Sequence, residues 1–316
     1  MRTGSRRVAG VVVALVGMAG LLAACSSTGS SGAAGSPGRA GMVIPAVGAE
    51  NTYANVISQV GGRYVRVTAV ESNPNTDPHT FEASPSVAEE IAAADVVVQN
   101  GLGYDTWATR IESAAPNPRR KVIDVQSLLG LPDSTPNPHL WYQPSTMPAV
   151  ASALANDLSS LDPSHAGVFR ANAAAFDRSL DPWDRALASF KASFPGTPVA
   201  VTEPVADYML EAAGCDILTP FSLQASIMNG TDPSPQDVTT EDHLFTDHRV
   251  KVFVYNEQVT DSLTASFLSI ARQEHVPVVG VYETMPTPGY DYQSWMLAEV
   301  HALEAAVTHH TSTTRL

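Results

Sequence analysis

Asp95-Val96-Val97-Val98-Gln99-Asn100-Gly101 is a short β-branched run closed by a turn signal. Apolar residues without polar alternation suit a strand buried on both faces, as in a parallel sheet with helices above and below. Its flanks are helical. Upstream, Ser84-Pro85 resembles an N-cap with proline at the first helical position, opening a helix over 86–94, and a second helix follows over 107–115. Further out, 42–47, 64–70 and 121–124 read as strands and 51–60 as a helix. This alternation predicts a mostly parallel α/β lobe.

The same rhythm returns later. Strands are predicted at 197–201, 251–255 and 276–281, and helices at 205–213, 236–247, 261–274 and 294–306, with 221–230 irregular. The expected fold is therefore α/β: two similar parallel-sheet lobes at 42–162 and 196–308, joined by a long connecting helix within 163–195. Pro182 interrupts that helix, as a kink or as the first turn of a new one. Residues 309–316 read as a polar tail, and a ligand belongs in the cleft between the lobes.

The N-terminus carries its own message. Arg2, Arg6 and Arg7 precede a glycine-broken apolar run ending in Leu22-Ala23-Ala24-Cys25. A basic start and a short apolar core read as an export signal over 1–24 rather than a membrane span. Leu-Ala-Ala-Cys resembles a bacterial lipobox, with Cys25 as the lipid-bearing first residue of the mature chain. Residues 25–41, rich in Ser and Gly, read as a flexible tether. The protein is thus expected on the cell membrane, lipid-anchored and facing outside the cytoplasm.

Removing the three leader arginines takes the formal charge from −14 to about −17. That balance excludes nucleic acid as a partner and favours cations, without selecting an ion. Cys215 is the one thiol besides Cys25. It leaves no intrachain disulfide and no cysteine cluster, and it reads as a small core residue.

Two short units point to the chemistry. Asp77-Pro78-His79-Thr80-Phe81 is echoed by Asn137-Pro138-His139-Leu140-Trp141. In each, proline stiffens the chain just before a histidine, so the imidazole leaves its loop in a defined direction. A carboxylate, Glu203, leaves the strand end Thr202-Glu203-Pro204 in the other lobe. Two imidazoles with acidic residues further on predict a metal site. As isolated units they are equally ordinary loop histidines.

The ordered set of these three motifs with Gly289-Tyr290-Asp291-Tyr292 resembles the metal-binding receptors of bacterial manganese, zinc and iron ABC importers, over nearly all of 42–307. That resemblance implies two α/β lobes joined by one long helix and a single divalent transition metal ion in the cleft, Mn²⁺, Zn²⁺ or Fe²⁺, carried as cargo. Two ligands come from each lobe. It also implies a membrane permease as partner, a monomeric receptor and no enzymatic activity. By the resemblance, His79 and His139 are the N-lobe ligands, Glu203 the third and Asp291 the fourth. Glu283, at a strand end, is the alternative for the fourth position; realignment could also place it at Tyr290, and Glu257 is an outside candidate.

Glutamate at the third position, where zinc-selective relatives have histidine, makes the set harder and favours Mn²⁺ or Fe²⁺ modestly, although zinc competes well for N/O ligands. His243 and His248 read as a solvated helix side or a weak surface patch, and His309 and His310 as tail residues. Phe81, Trp107 and Trp141 are shields of the site or core residues. A metalloenzyme needs a general base and an open coordination position, and no His-Glu-x-x-His or Gly-x-Ser-x-Gly motif occurs. An adhesin or signalling lipoprotein with a structural metal is the other alternative.

Overall fold

Val96, Val97 and Val98 are all fully buried, and they face alternately into two different cores. A strand with apolar residues on both faces needs helices on both sides, and the chain supplies them. The computed structural model describes residues 43–316 except Thr287. The expected leader at 1–24, Cys25 and the tether at 25–41 lie outside the described residues.

The first lobe runs β1 Ile44–Glu50, α1 Asn51–Gly61, β2 Val65–Glu71, α2 Pro85–Ala93, β3 Val96–Gln99, α3 Thr106–Ala114, β4 Lys121–Asp124, α4 Val125–Leu128 and α5 Thr146–Leu161. Two connecting helices follow, α6 Ala166–Ser179 and α7 Asp181–Ser193. The second lobe runs β5 Thr197–Val201, α8 Asp207–Ala212, β6 Cys215–Ile217, α9 Phe221–Met228, α10 Pro235–Thr246, β7 Val252–Asn256, α11 Ser262–Gln273, β8 Val278–Val281 and α12 Tyr292–His309. Each lobe holds one four-stranded parallel sheet, in the orders β2-β1-β3-β4 and β6-β5-β7-β8.

One continuous core joins the lobes. Val96 and Val98 of β3 share it with Val252 and Val254 of β7 and with Trp183, Trp295 and Leu303 from the helices between. The opposite sheet faces are covered separately. Val97 packs with Ile91 and Trp107, and Phe253 packs with Phe245 and Phe267. Period-two alternation along β7 thus sorts Val from Phe and Tyr.

Three expectations change. The connector is a pair of helices instead of one. Leu180 separates them, and Pro182 sits in the first turn of α7, where its missing N–H costs no hydrogen bond. Residues 221–228 are helical rather than irregular: Leu223 and Ile227, four apart, insert into the outer core of the second lobe. The end of the chain joins the second sheet. Gly280 N donates to Thr313 O at 2.8 Å and Thr313 N to Val278 O at 2.8 Å. A Cβ on Gly280 would lie 2.3 Å from Thr314 O, so glycine permits this close approach.

Candidate metal centre

Parallel sheets gather their functional residues at the carboxyl ends of the strands, and here two such edges face each other. Glu71 ends β2, Glu203 follows β5 by two residues, Asn256 ends β7 and Glu283 follows β8 by two.

His79 sits in a single 3₁₀ turn, Pro78–Thr80, after β2. The Asp77 carboxylate caps that turn by accepting from His79 N at 2.8 Å. His139 precedes a similar turn, Leu140–Tyr142, and its N–H donates to Asn137 Oδ1 at 2.9 Å. Both histidines therefore leave proline-stiffened, capped turns.

Their Nε2 atoms converge on one oxygen. His79 Nε2 and His139 Nε2 each lie 3.1 Å from Glu283 Oε2. One ligand atom from each of the three residues falls within 4.8 Å of the others. His139 and Glu283 side chains are fully buried, whereas His79 keeps 22% of its side chain exposed. Tyr104 OH donates to the same Oε2 at 2.9 Å, and Asn256 Nδ2 donates to Oε1 at 2.9 Å. Glu283 N and Thr284 N both donate to Gln258 Oε1, at 2.7 and 2.8 Å, fixing the turn that presents the carboxylate.

The His139 tautomer follows from a neighbour. Asn137 Nδ2 donates to Pro204 O at 2.7 Å, which turns Asn137 Oδ1 towards His139 Nδ1 at 2.8 Å. Nδ1 therefore carries a proton, so in the neutral imidazole it is the Nε2 lone pair that faces the centre. The same bond reaches across the cleft to the residue after Glu203.

Glu203 is buried beside this group. Asn256 Nδ2 bridges its Oε1, at 3.4 Å, to Glu283, while its Oε2 has no hydrogen-bond partner among the described residues. Burial first, then the charges of Glu283 and Asp77, push the Glu203 carboxyl well above its usual range. Burial acts the same way on Glu283, but the hydrogen bonds and charge of His139 and His79 outweigh it and hold its carboxyl far below. Burial pulls His139 down despite Glu283. For His79 the bond to Glu283, its charge and that of Asp77 overcome burial and raise it. An orphaned buried oxygen, two buried carboxylates and two imidazoles form a donor set that a divalent cation would satisfy.

Asp291 is not brought into this group. It caps α12, accepting from Ser294 N at 2.9 Å, with Ser294 in turn bonding the Asp291 backbone as a capping box. Glu283, weighed as its substitute, is the carboxylate that meets both histidines. Trp141 packs edge-on to His139 and Tyr104, with ring centroids 5.4 and 5.2 Å away. Phe81 and Trp107 pack on each other behind the first sheet. His243 and His248 form exposed pairs with Asp247 and Glu274. Sequence reasoning missed Tyr104, Asn256 and Gln258. Only Asn256, at the end of a strong strand facing Glu203, carried a signal that could have found it.

Known proteins share this architecture. The family described as ZnuA, zinc-uptake complex component A periplasmic, matches residues 47–306. A putative metal-binding protein of Chlamydia muridarum is 23% identical over 205 residues, spanning 63% of this chain and 70% of that protein. The manganese-binding lipoprotein MntA of Bacillus subtilis is 26% identical over 148 residues, 42% of this chain and 46% of that protein. Among solved structures, the Mn-bound periplasmic metal-binding protein from Candidatus Liberibacter asiaticus superposes with a TM-score of 0.68 at 18% identity, covering 83% of this chain and 98% of that one. At that identity the likeness establishes the fold.

Proposed function

The chain belongs to the ZnuA family of zinc-uptake components, and we propose that it captures one divalent transition-metal ion outside the cytoplasm and delivers it to the permease of an ABC importer. The observation that carries this reading is the convergence of His79, His139 and Glu283 within 4.8 Å beside the unpartnered Glu203 Oε2. We assign all four as ligands. The two imidazoles bind through Nε2, and the carboxylates neutralise the ion.

The lobes supply the ligands unequally in strength but equally in number: two histidines from the first, two glutamates from the second. Closing the cleft completes the site, and opening it halves the ligand set. Release therefore requires a state in which the lobes separate, and a partner that binds that state preferentially drives it.

Two carboxylates, each able to bind through one or both oxygens, allow a coordination number above four. That supports Mn²⁺ or Fe²⁺ over Zn²⁺, while the affinity order of N/O sites works in the opposite direction. The relative named for manganese fits this preference, and the family's description names zinc. Competitive binding of Mn²⁺, Fe²⁺ and Zn²⁺ to the chain lacking residues 1–24, beside Glu203→His, tests it. The expected result is useful retention of Mn²⁺ or Fe²⁺ by the wild type and a shift towards Zn²⁺ in the variant. If both hold Zn²⁺ tightly and release the others, the cargo is zinc.

The leader at 1–24 and the lipobox complete the proposal with a lipid on Cys25 and a tether to the folded lobes. Incorporation of labelled fatty acid by the expressed protein, and its loss in Cys25→Ala, is the expected outcome.

A further inference from the structure

Glu50 ends β1 and Glu71 ends β2, and the two are register partners on adjacent strands. Glu50 is 2% exposed, and among the described residues neither of its carboxyl oxygens meets an N–H or O–H donor from another residue. Asp105, equally buried, lies within side-chain hydrogen-bonding reach of it. Among the described residues, the other titratable groups facing Glu50 are Glu71, Tyr53 and Tyr104, and none of them is a cation. Two carboxylates this close in dry surroundings cannot both be ionised.

Geometry decides which one keeps the proton. Asp105 Oδ2 accepts from Asn100 N at 2.5 Å and Oδ1 from Gly101 N at 3.0 Å, so its charged form is supported by two backbone donors. Glu50 has no donor from another described residue, only its own backbone N–H to favour the charged form. Burial, then the charges of Asp105 and Glu71, push the Glu50 carboxyl well above its usual range, in keeping with that assignment.

Asp105 closes an unusual turn. Gly101, Leu102 and Gly103 all have positive φ, at 80°, 54° and 81°. Leucine in the left-handed region persists only where its surroundings over-determine it. Here Asp105 grips the start of the turn, and Leu102 N donates to Gln126 Oε1 at 2.8 Å. The turn touches the metal centre at both ends. Asn100 Nδ2 donates to Pro138 O at 2.8 Å, beside His139, and Tyr104 OH donates to Glu283.

We propose that Glu50 is kept as a neutral acid that donates its proton to Asp105, and that this pair is a positioning device holding the 100–105 turn against His139 and Glu283. The inference rests on the metal-capture reading above. Glu50 and Asp105 touch no ion; they act through Asn100 and Tyr104. When Glu50 ionises, the two like charges repel, the turn relaxes and metal affinity falls on the alkaline side.

Two measurements test this on the chain lacking residues 1–24: infrared difference spectra of wild type against Glu50→Gln at neutral pH, and Mn²⁺ titrations of wild type, Glu50→Gln and Glu50→Ala from pH 6 to 9. The expected spectrum has a protonated-carboxyl C=O band in the wild type that Glu50→Gln lacks. The side-chain amide introduced by Glu50→Gln still donates to Asp105, so that variant should bind within about twofold of wild type at pH 7 and lose the alkaline decline. Glu50→Ala should bind about tenfold more weakly, the scale of one lost buried hydrogen bond. A difference spectrum without the band, or an alkaline decline that persists in Glu50→Gln, overturns the proposal. If Glu50→Ala fails to fold, those two readouts still decide. A wild type that binds neither Mn²⁺ nor Zn²⁺ would overturn the capture reading, whereas normal binding with no band overturns only the role of Glu50.

Discussion

The loops carrying His79 and His139 share a pattern, a capping residue then proline then histidine, yet the two imidazoles end in different states. Asp77 and Asn137 each accept the histidine backbone N–H through Oδ1. Asn137 also has a donor. Its Nδ2 reaches Pro204 O in the other lobe, and its oxygen then holds His139 Nδ1. Aspartate has nothing to donate, so Asp77 shapes the turn but leaves the His79 ring partly open to water. One side-chain amide in place of a carboxylate separates an imidazole held at Nδ1 from one whose ring stays partly exposed.

The largest expected effect comes from deleting each ring. His139→Ala and His79→Ala should each weaken metal binding by at least about 100-fold, beyond what loss of an outer hydrogen-bond partner does. Stability should separate them. The buried His139 leaves a cavity costing about 2–4 kcal/mol, while the partly exposed His79 should cost less, about 1 kcal/mol. Titration calorimetry with thermal melts of the ion-free proteins reads both, and equal stability losses would break the comparison.

Exchanging the capping residues comes next. Asn137→Asp removes the donor to Pro204 O and should weaken metal binding about 10- to 100-fold. Asp77→Asn keeps its acceptor for His79 N and should change affinity only about two- to threefold at neutral pH. A larger loss in Asp77→Asn than in Asn137→Asp would reverse the assignment.

The pH profile sharpens the contrast. His79 titrates above its ordinary 6.5, because the hydrogen bond and charge of Glu283, with the charge of Asp77, outweigh burial. An ion needs the neutral imidazole, so affinity should fall as pH drops through that raised value. Removing the Asp77 charge in Asp77→Asn should move the acid-side midpoint downward. His139, pulled down by burial, should not set this limb.

The smallest effect lies outside the site. Glu299, fully buried on α12, accepts from Trp295 Nε1 at 3.0 Å, and burial pushes its carboxyl up to about 8. A folded-state value raised above the ordinary 4.5 means that its contribution is intact below about 4.5 and is lost as pH rises towards 8. Glu299→Gln should therefore melt about 2–4 °C above wild type at pH 8.5, with little difference at pH 5. A gap that is the same at both values would place the Glu299 ionisation elsewhere.

Much of this molecule was legible before its structure. The apolar runs at 95–101 and 251–255, alternating with helices, read as strands of parallel α/β lobes, and the Pro-His units marked two residues of the centre. Other parts were hidden for identifiable reasons. Residues 221–228 lack a capping side chain, and their helix forms because Leu223 and Ile227 have a core to enter. The break at Leu180 turned on whether Pro182 bends one helix or starts another, which its local sequence leaves open. Tyr104 and Gln258 reach Glu283 from loops whose direction no local pattern encodes.

Asp291 and Glu283 show where the division falls. Asp291-Tyr292-Gln293-Ser294 has the side chains of a helix cap, and those few residues satisfy each other wherever the helix lies. Caps, stiff proline turns and strand periodicity act over a few residues, so the sequence by itself determined them, along with the acidic balance that favours a cation. The choice of Glu283 over Asp291 needed the second sheet set against the first, with Gln258 turning the chain after β8 towards two histidines from the other lobe. Residues 79, 139, 203 and 283 become neighbours only when long-range packing overcomes the entropy of bringing distant segments together, and that was left to the tertiary structure.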